Sequence, residues 1–254
     1  MLNLHELSWV GAKKYLRSND IVLLPVGSTE QHGPQNPLGT DHLIARCLAD
    51  EAAKRTKVAC LPTVPFGVSS HHRQFWGTVH VAPETFKAYV HDVCVSLKYY
   101  GVRKIVVVNG HGGNTAALAG LAREFRERKE MFMSVFIWWE VARKRLPKVF
   151  SEEEVGHAAA EETSVNLALH PRLVDMNKAV DEKPSRPLFD ASSFGVNYRL
   201  DTADYTSSGV FGTSTTASAN KGKKILEAVV EELVKHVKAV KKSKIDDLLP
   251  KPLM

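Results

Sequence analysis

The sequence is short of the residues and runs that mark several classes of protein. Cysteine is scarce: Cys47, Cys60 and Cys94 are the only three in 254 residues, and they lie far apart. An odd number without metal-like spacing argues against a disulfide scaffold or a thiolate zinc site. The apolar neighbours of each favour buried free thiols in a reducing compartment. No apolar run approaches the roughly 20 residues of a membrane span. The N-terminal stretch MLNLHELSWVGAKKYL also lacks the pattern of a secretory signal. These absences predict a cytoplasmic protein with no membrane partner. One-sided charge is modest too: the formal net charge is +6, with much of the excess in Lys235 to Lys244. A solvated helix face accounts for those lysines, and no nucleic-acid partner is expected.

What is present centres on Val26 to Asp41, VGSTEQHGPQNPLGTD. The apolar run Ile21 to Val26 leads into it as a buried strand, which puts Glu30 and His32 in the loop just past a strand end. Asp41 opens the next helix, where Ile44, Cys47, Leu48 and Ala52 recur at helical spacing. Carboxylate and imidazole are metal-ligand types, and open α/β sheets bind ligands outside the carboxyl ends of their strands. Taken alone, the stretch reads equally well as a turn with one satisfied histidine and two solvated acids.

Val58 to Val64 reads as a second strand, ending in PFGVSSHHRQFWGT. Pro65 and Gly67 there break regular structure and deliver His71, His72, Phe75 and Trp76 into a long loop of the kind that builds pockets. A helix follows from Pro83, striped by Phe86, Val90, Val93 and Leu97. The β-branched strand Ile105 to Val108 breaks into NGHGGN, Asn109 to Asn114, before a helix carrying Leu118, Leu121 and Phe125. Strand, glycine-rich turn and helix is also the layout of a phosphate loop, which leaves a nucleotide-binding protein as the rival reading from another class. The fuller G-x-G-x-x-G fingerprint is not there. His111 is the odd residue for a phosphate loop, whereas Gly112 and Gly113 leave room for a metal or substrate to approach the backbone closely.

Phe132 to Trp139 reads as a fourth strand with two tryptophans at its end, Lys144 to Glu154 as a polar connection, and His157 to His170 as an alanine-rich helix with Glu161 and Glu162. Asp181 to Asn220, rich in Ser, Asp, Gly and Pro, reads as an irregular excursion. The last helix carries Ile225, Val229, Leu233 and Val237 four apart. The alternation of strands and helices, without repeat or low-complexity linker, predicts one α/β domain over residues 1–254, a largely parallel central sheet flanked by helices.

With VGSTEQHGP, LGTD, NGHGGN and HAAAEETS in this order, the chain resembles the creatininase (creatinine amidohydrolase) family. The loop SHHRQFWGT and the tail GVFGTSTTASANKGKK extend the likeness over most of the chain. The resemblance implies a single creatininase-like domain, two divalent metal ions, assembly as a hexamer, and hydrolysis of amide or related bonds in small molecules. Zinc suits the ligand types, with manganese or iron(II) as alternatives. Carried over by position, Glu30 and His111 hold one metal, His32 the other, and Asp41 bridges both. His157 acts as general acid, and His72, Trp139, Gly112 and Gly113 contact the substrate.

This sequence departs from creatinine-hydrolysing members at Gly113 and Gly156, where they carry glutamate. The glycine version of the loop resembles the archaeal formamidopyrimidine deformylase and the peptidase branch more. Without a ligand from position 113 the second metal lacks a partner, and Glu162 is the expected substitute. An unbroken helix from His157 would instead favour Glu161, four residues on, because Glu162 is turned away by about 140° at 3.6 residues per turn. A binding protein that keeps this scaffold without activity is the remaining alternative.

Overall fold

Four parallel strands form the central sheet of the computed structural model, which describes residues 2–185 and 200–251. They are β1 (Ile21–Val26), β2 (Ala59–Cys60), β3 (Lys104–Asn109) and β4 (Phe132–Ile137), in the spatial order β2-β1-β3-β4. Every residue of β1 and β3 is buried. Helices cover both faces, so these strands read as unbroken apolar runs rather than as alternation.

Side chains leave β1 alternately to the two faces. Ile21 and Leu23 pack in the layer holding α2 (Thr40–Thr56) and α7 (Ala219–Lys242), while Val22, Leu24 and Val26 pack in the layer holding α3 (Pro83–Lys98) and α4 (Thr115–Glu127). Each such side chain stabilises the fold by about 1.5–3 kcal/mol through burial. Tyr15 of α1 (Trp9–Leu16) closes the second layer and donates its hydroxyl to the Ile21 carbonyl at 2.8 Å. Among the described residues no helix is long and apolar enough to cross a membrane. Cys60 and Cys94 are buried as expected, whereas Cys47 is only half-buried.

The strand order sets the place of the site. From β1 the chain proceeds through α2 to β2 on one side, and from β3 through α4 to β4 on the other. The loops therefore diverge above the β1–β3 pair, whose register runs from Ile21↔Lys104 to Val26↔Asn109. A crevice opens at the carboxyl ends of these two strands, where open α/β sheets take ligands.

Three boundaries differ from the sequence reading. The second strand is only Ala59–Cys60, not Val58 to Val64. Pro62 has no N–H for the ladder, and pairing resumes only as the isolated Val26↔Val64 bridge. The fourth strand stops at Ile137, and the two tryptophans begin α5 (Trp138–Arg145) instead of ending the strand. Finally, α6 spans Ala160–Leu169 rather than His157 to His170. Gly156 at φ 158° and Ala158 at φ 58° keep His157 out of the helix.

The excursion Asp181 to Asn220 falls partly outside the described residues. Its flanks are tied by the antiparallel pair β5 (Asp181–Glu182) and β6 (Gly212–Thr213). The chain closes with α8 (Ile245–Leu248).

Candidate metal centre

Glu30 and His32 leave the loop after β1, Asp41 stands in the first turn of α2, and His111 follows β3 after Gly110. All four are buried. The close approach of α2 to β3 requires glycine at 110, where a Cβ would lie 2.2 Å from the Asp41 carbonyl oxygen. Asp41 consequently sits between the two histidines: Oδ1 is 3.0 Å from His32 Nε2, and Oδ2 is 3.0 Å from His111 Nδ1. Glu30 Oε2 lies 3.2 Å from His111 Nδ1, and Glu162 Oε2 lies 3.7 Å from His32 Nε2. Three groups of ligand-type atoms result, Glu30–Asp41–His111, His32–Asp41–Glu162 and Glu30–His32–His157, and Asp41 is common to the first two.

These short distances are not hydrogen bonds throughout. Both oxygens of Glu30, Oδ2 of Asp41 and Nε2 of His32 are buried without a hydrogen-bond partner among the described residues. Buried acceptor-type atoms that crowd to about 3 Å without a hydrogen-bond partner are an arrangement that a bound cation would satisfy. The backbone supports that arrangement. His32 Nδ1 sits 3.2 Å from the Glu30 carbonyl oxygen and His111 Nε2 sits 3.0 Å from that of Val68. Each ring donates outward to a carbonyl, which leaves the inner nitrogen as the one that could ligate, the usual way a ligating histidine is oriented.

The electrostatics carry the same demand for positive charge. Burial pushes His32 and His111 down, but carboxylates outweigh it: Asp41 and Glu162 lift His32 to about 10, and Glu30 with Asp41 lifts His111 well above the ordinary imidazole value. Burial also raises Glu162 to about 7, against the pull of His32. No lysine or arginine pairs with Glu30, Asp41 or Glu162 among the described residues. A divalent cation between such groups meets a charge requirement that the chain does not fill with its own cations.

His157, in the group without Asp41, and His72 have different roles. His157 Nε2 is 2.8 Å from the Gln31 carbonyl oxygen and donates to it, so Nδ1, 3.9 Å from Glu30 Oε1, keeps its lone pair. Burial and the facing His32 hold this imidazole well below its usual value and hence neutral. The Gln31 side-chain amide, 2.9 Å from His72 Nδ1, donates to it, with the Thr202 hydroxyl 2.8 Å from the same nitrogen, so the ring proton sits on Nε2, 3.3 Å from Glu30 Oε1. His72 thus presents an N–H rather than a lone pair on the side of Glu30. The site opens into a cavity of about 850 Å³ that Trp139, Gly112, Gly113, His72 and His157 help to line.

The sequence profile of the creatininase family, described as creatinine amidohydrolase, matches residues 5–237. The chain belongs to the creatininase family. It is 29% identical to the creatinine amidohydrolase of Pseudomonas putida over 89% of this chain and 92% of that one. It is 31% identical to a mycofactocin precursor peptide peptidase of Mycobacterium tuberculosis, covering 91% and 90% of the two chains. A 3-dehydro-scyllo-inosose hydrolase of Thermotoga maritima is 29% identical over 90% and 80%. A crystal structure of a creatinine amidohydrolase superposes with a TM-score of 0.80 at 27% identity, covering 96% and 99%. Two further creatininase structures at 26% identity are described by their metals, one as Zn-Zn type and one as Mn.

Among creatininase features, the glycine at 113 has a local cause. A Cβ there would lie 2.1 Å from the Val68 carbonyl oxygen and 2.5 Å from His111 Nε2, so this backbone leaves no path for a side chain. Glu162 comes to the same centre from α6, held by the Ala158 N–H, which donates to its Oε2 at 2.7 Å. That N–H is aimed by the left-handed Ala158, a conformation costing a non-glycine residue about 1–2 kcal/mol. Glu161 turns the opposite way and pairs with Arg143.

Other expectations from the loops need correction. His71 and His72 line the cavity, but Phe75 and Trp76 do not, and Trp76 is 98% exposed. The phosphate-loop alternative also fails on local chemistry. In NGHGGN the His111 N–H donates to the Asn109 side chain at 3.1 Å, and the buried carboxylates of Glu30 and Asp41 lie against the imidazole. Sequence reasoning overlooked Gln31, which is buried between the rings of His72 and His157 and contacts both. Its place between Glu30 and His32 was the available signal.

Proposed function

We propose that this creatininase-family protein is a metal-dependent amidohydrolase acting on a non-peptide C–N bond of a small molecule. The observation that carries the reading is Asp41, whose two oxygens each lie 3.0 Å from an imidazole nitrogen of a different ligand group. Glu30, Asp41 and His111 would hold one divalent ion, and His32, Asp41 and Glu162 the other. Zinc comes first, with manganese or iron(II) as alternatives. When bound, such a pair supplies Lewis acidity, acidifying water and polarising a carbonyl oxygen. Thiolates are not involved, since no cysteine lines the cavity.

The chain's own part in the reaction falls to His157 and the cavity walls. With Nε2–H committed to the Gln31 carbonyl, His157 Nδ1 accepts the proton released as water adds to the scissile carbon. It then returns that proton to the leaving nitrogen. The residue is therefore a base first and an acid second. His157→Ala is expected to lower turnover by about a hundredfold while metal content stays at the wild-type level. Loss of metal together with activity would make His157 a ligand, a role its proximity to Glu30 and His32 also permits.

Purified protein should hold about two equivalents of transition metal per chain, the stoichiometry of two-metal hydrolases. It should then hydrolyse at least one member of a panel of creatinine, a formamidopyrimidine and other small amides. Formate from the formamidopyrimidine with creatinine untouched assigns the deformylase branch, which Gly113 favours. Metal-free protein that binds nucleotide overturns the whole reading. A cytoplasmic setting and a closed hexamer belong to the same proposal; light scattering on that sample showing a stable monomer removes the hexamer.

A further inference from the structure

The cavity that opens from the metal centre is lined by two arginines, Arg73 and Arg143, and their guanidinium edges are used differently. Arg73 faces Asp201 end-on: Nη1 lies 2.7 Å from Oδ1, and Nη2 meets Oδ2. Its carboxylate-binding fork is filled. Arg143 instead meets Glu161 along its side, with Nε at 3.0 Å and Nη2 at 2.7 Å from the same Oε2. The end-on pair of N–H groups, on Nη1 and the far side of Nη2, has no acceptor among the described residues. Two of the five donors of a planar group are thus fixed, and a second fork able to take a carboxylate is presented.

Two features make this more than a structural ion pair. Glu161 is 1% exposed, whereas the Arg143 side chain is 43% exposed and reaches the cavity wall, so a buried anchor holds an accessible fork. Trp139 stands one helical turn before Arg143 on α5 and lines the same cavity, setting a flat apolar surface beside the fork. Among the described residues that line the cavity, Arg143 is the arginine whose end-on edge is left for an anionic group of the substrate, with the scissile carbonyl directed to the metal centre.

We infer that Arg143 is a specificity-determining residue whose end-on edge receives a carboxylate of the substrate, so that this enzyme takes small amides carrying a carboxylate remote from the scissile bond. The inference rests on the amidohydrolase reading of the same cavity. Arg143 sets which molecule binds and how it lies, and has no part in proton transfer.

The test compares matched probes on zinc-loaded protein by calorimetry, with metal content assayed in each sample. Succinate, glutarate and adipate can span from the metal centre to Arg143; butyrate, pentanoate and hexanoate of equal length can reach only one end. One diacid length is expected to bind about ten- to a hundredfold tighter than its monoacid, the scale of a charge-assisted bidentate contact. Arg143→Gln should abolish that advantage. Arg143→Lys keeps a cation against buried Glu161 and guards against misfolding; it should keep only a small part of the advantage.

A wild-type protein that shows no diacid advantage at any length, or an advantage that survives Arg143→Gln, overturns the inference. Tighter binding of 3-phosphonopropionate than of succinate reassigns the anion to a phosphoryl group and overturns the carboxylate assignment. Wild-type protein that retains no metal sinks the amidohydrolase reading and this one with it, and the metal assay identifies that failure separately.

Discussion

Asp41→Asn is expected to strip both metals from the protein and to lower hydrolysis by about three orders of magnitude or more. Asn has the same shape and keeps one oxygen, so the first turn of α2 and its packing on Gly110 need not change. What it loses is the charge and the second acceptor. Oδ1 faces His32 and Oδ2 faces His111, and an amide can offer lone pairs to only one of them. Lewis-acid stabilisation is worth several kcal/mol, and each loss of about 1.4 kcal/mol is tenfold in rate. Elemental analysis of the purified variant supplies the readout. Two equivalents of metal retained by Asp41→Asn would show that this carboxylate is not shared, and the pairing of the two ligand groups would have to be redrawn.

How much of this was legible in the sequence depends on whether local or distant contacts decide the matter. The β1 and β3 strands could be read directly, because strands covered on both faces are continuous apolar runs, and their loops carry the residues that the β1–β3 crevice gathers. The end of β2 could not be placed as well. Pro62 is visible, but whether pairing resumes at Val64 depends on the carbonyl of Pro25 in a different strand, which accepts the Val64 N–H at 3.0 Å. Trp138 and Trp139 suit a strand by propensity and nevertheless begin α5, since Trp138 is buried in the layer with α2 and α7. Tertiary packing overrides propensity there.

The site was legible as residue types in order, and less so as partners. Spacing alone does not reveal that Arg143 meets Glu161 or that Thr202 reaches His72 from 130 residues away. The tautomers of His32, His111 and His157 depend on carbonyl groups of Glu30, Val68 and Gln31, which sequence pattern does not display. Those backbone contacts decide which nitrogen faces the centre, so they settle chemistry that a motif leaves open.

Glu161 and Glu162 are adjacent, and replacing each by Gln is expected to give opposite results. Glu162→Gln should release about one metal of two and abolish hydrolysis, because its Oε2, fixed by the Ala158 N–H, is the carboxylate nearest His32 after Asp41. Ligand count supports a large effect: removing Glu162 leaves the His32 group with only one imidazole and the shared Asp41, below the three protein ligands that catalytic sites keep. Glu161→Gln should leave both metals bound, since its carboxylate is turned onto Arg143.

That variant has its own signature. Both Arg143 bonds end on one Glu161 oxygen, so neutral Gln, which keeps an acceptor but no charge, weakens the hold on the guanidinium without touching the centre. Metal content at wild-type level with weakened diacid selectivity is the outcome expected for Glu161→Gln. Loss of one metal from Glu161→Gln, with Glu162→Gln retaining both, would place the ligand on the other residue. The helix would then begin before Ala160 in the metal-bound protein, because only an unbroken turn from His157 brings Glu161 to the face of the ring.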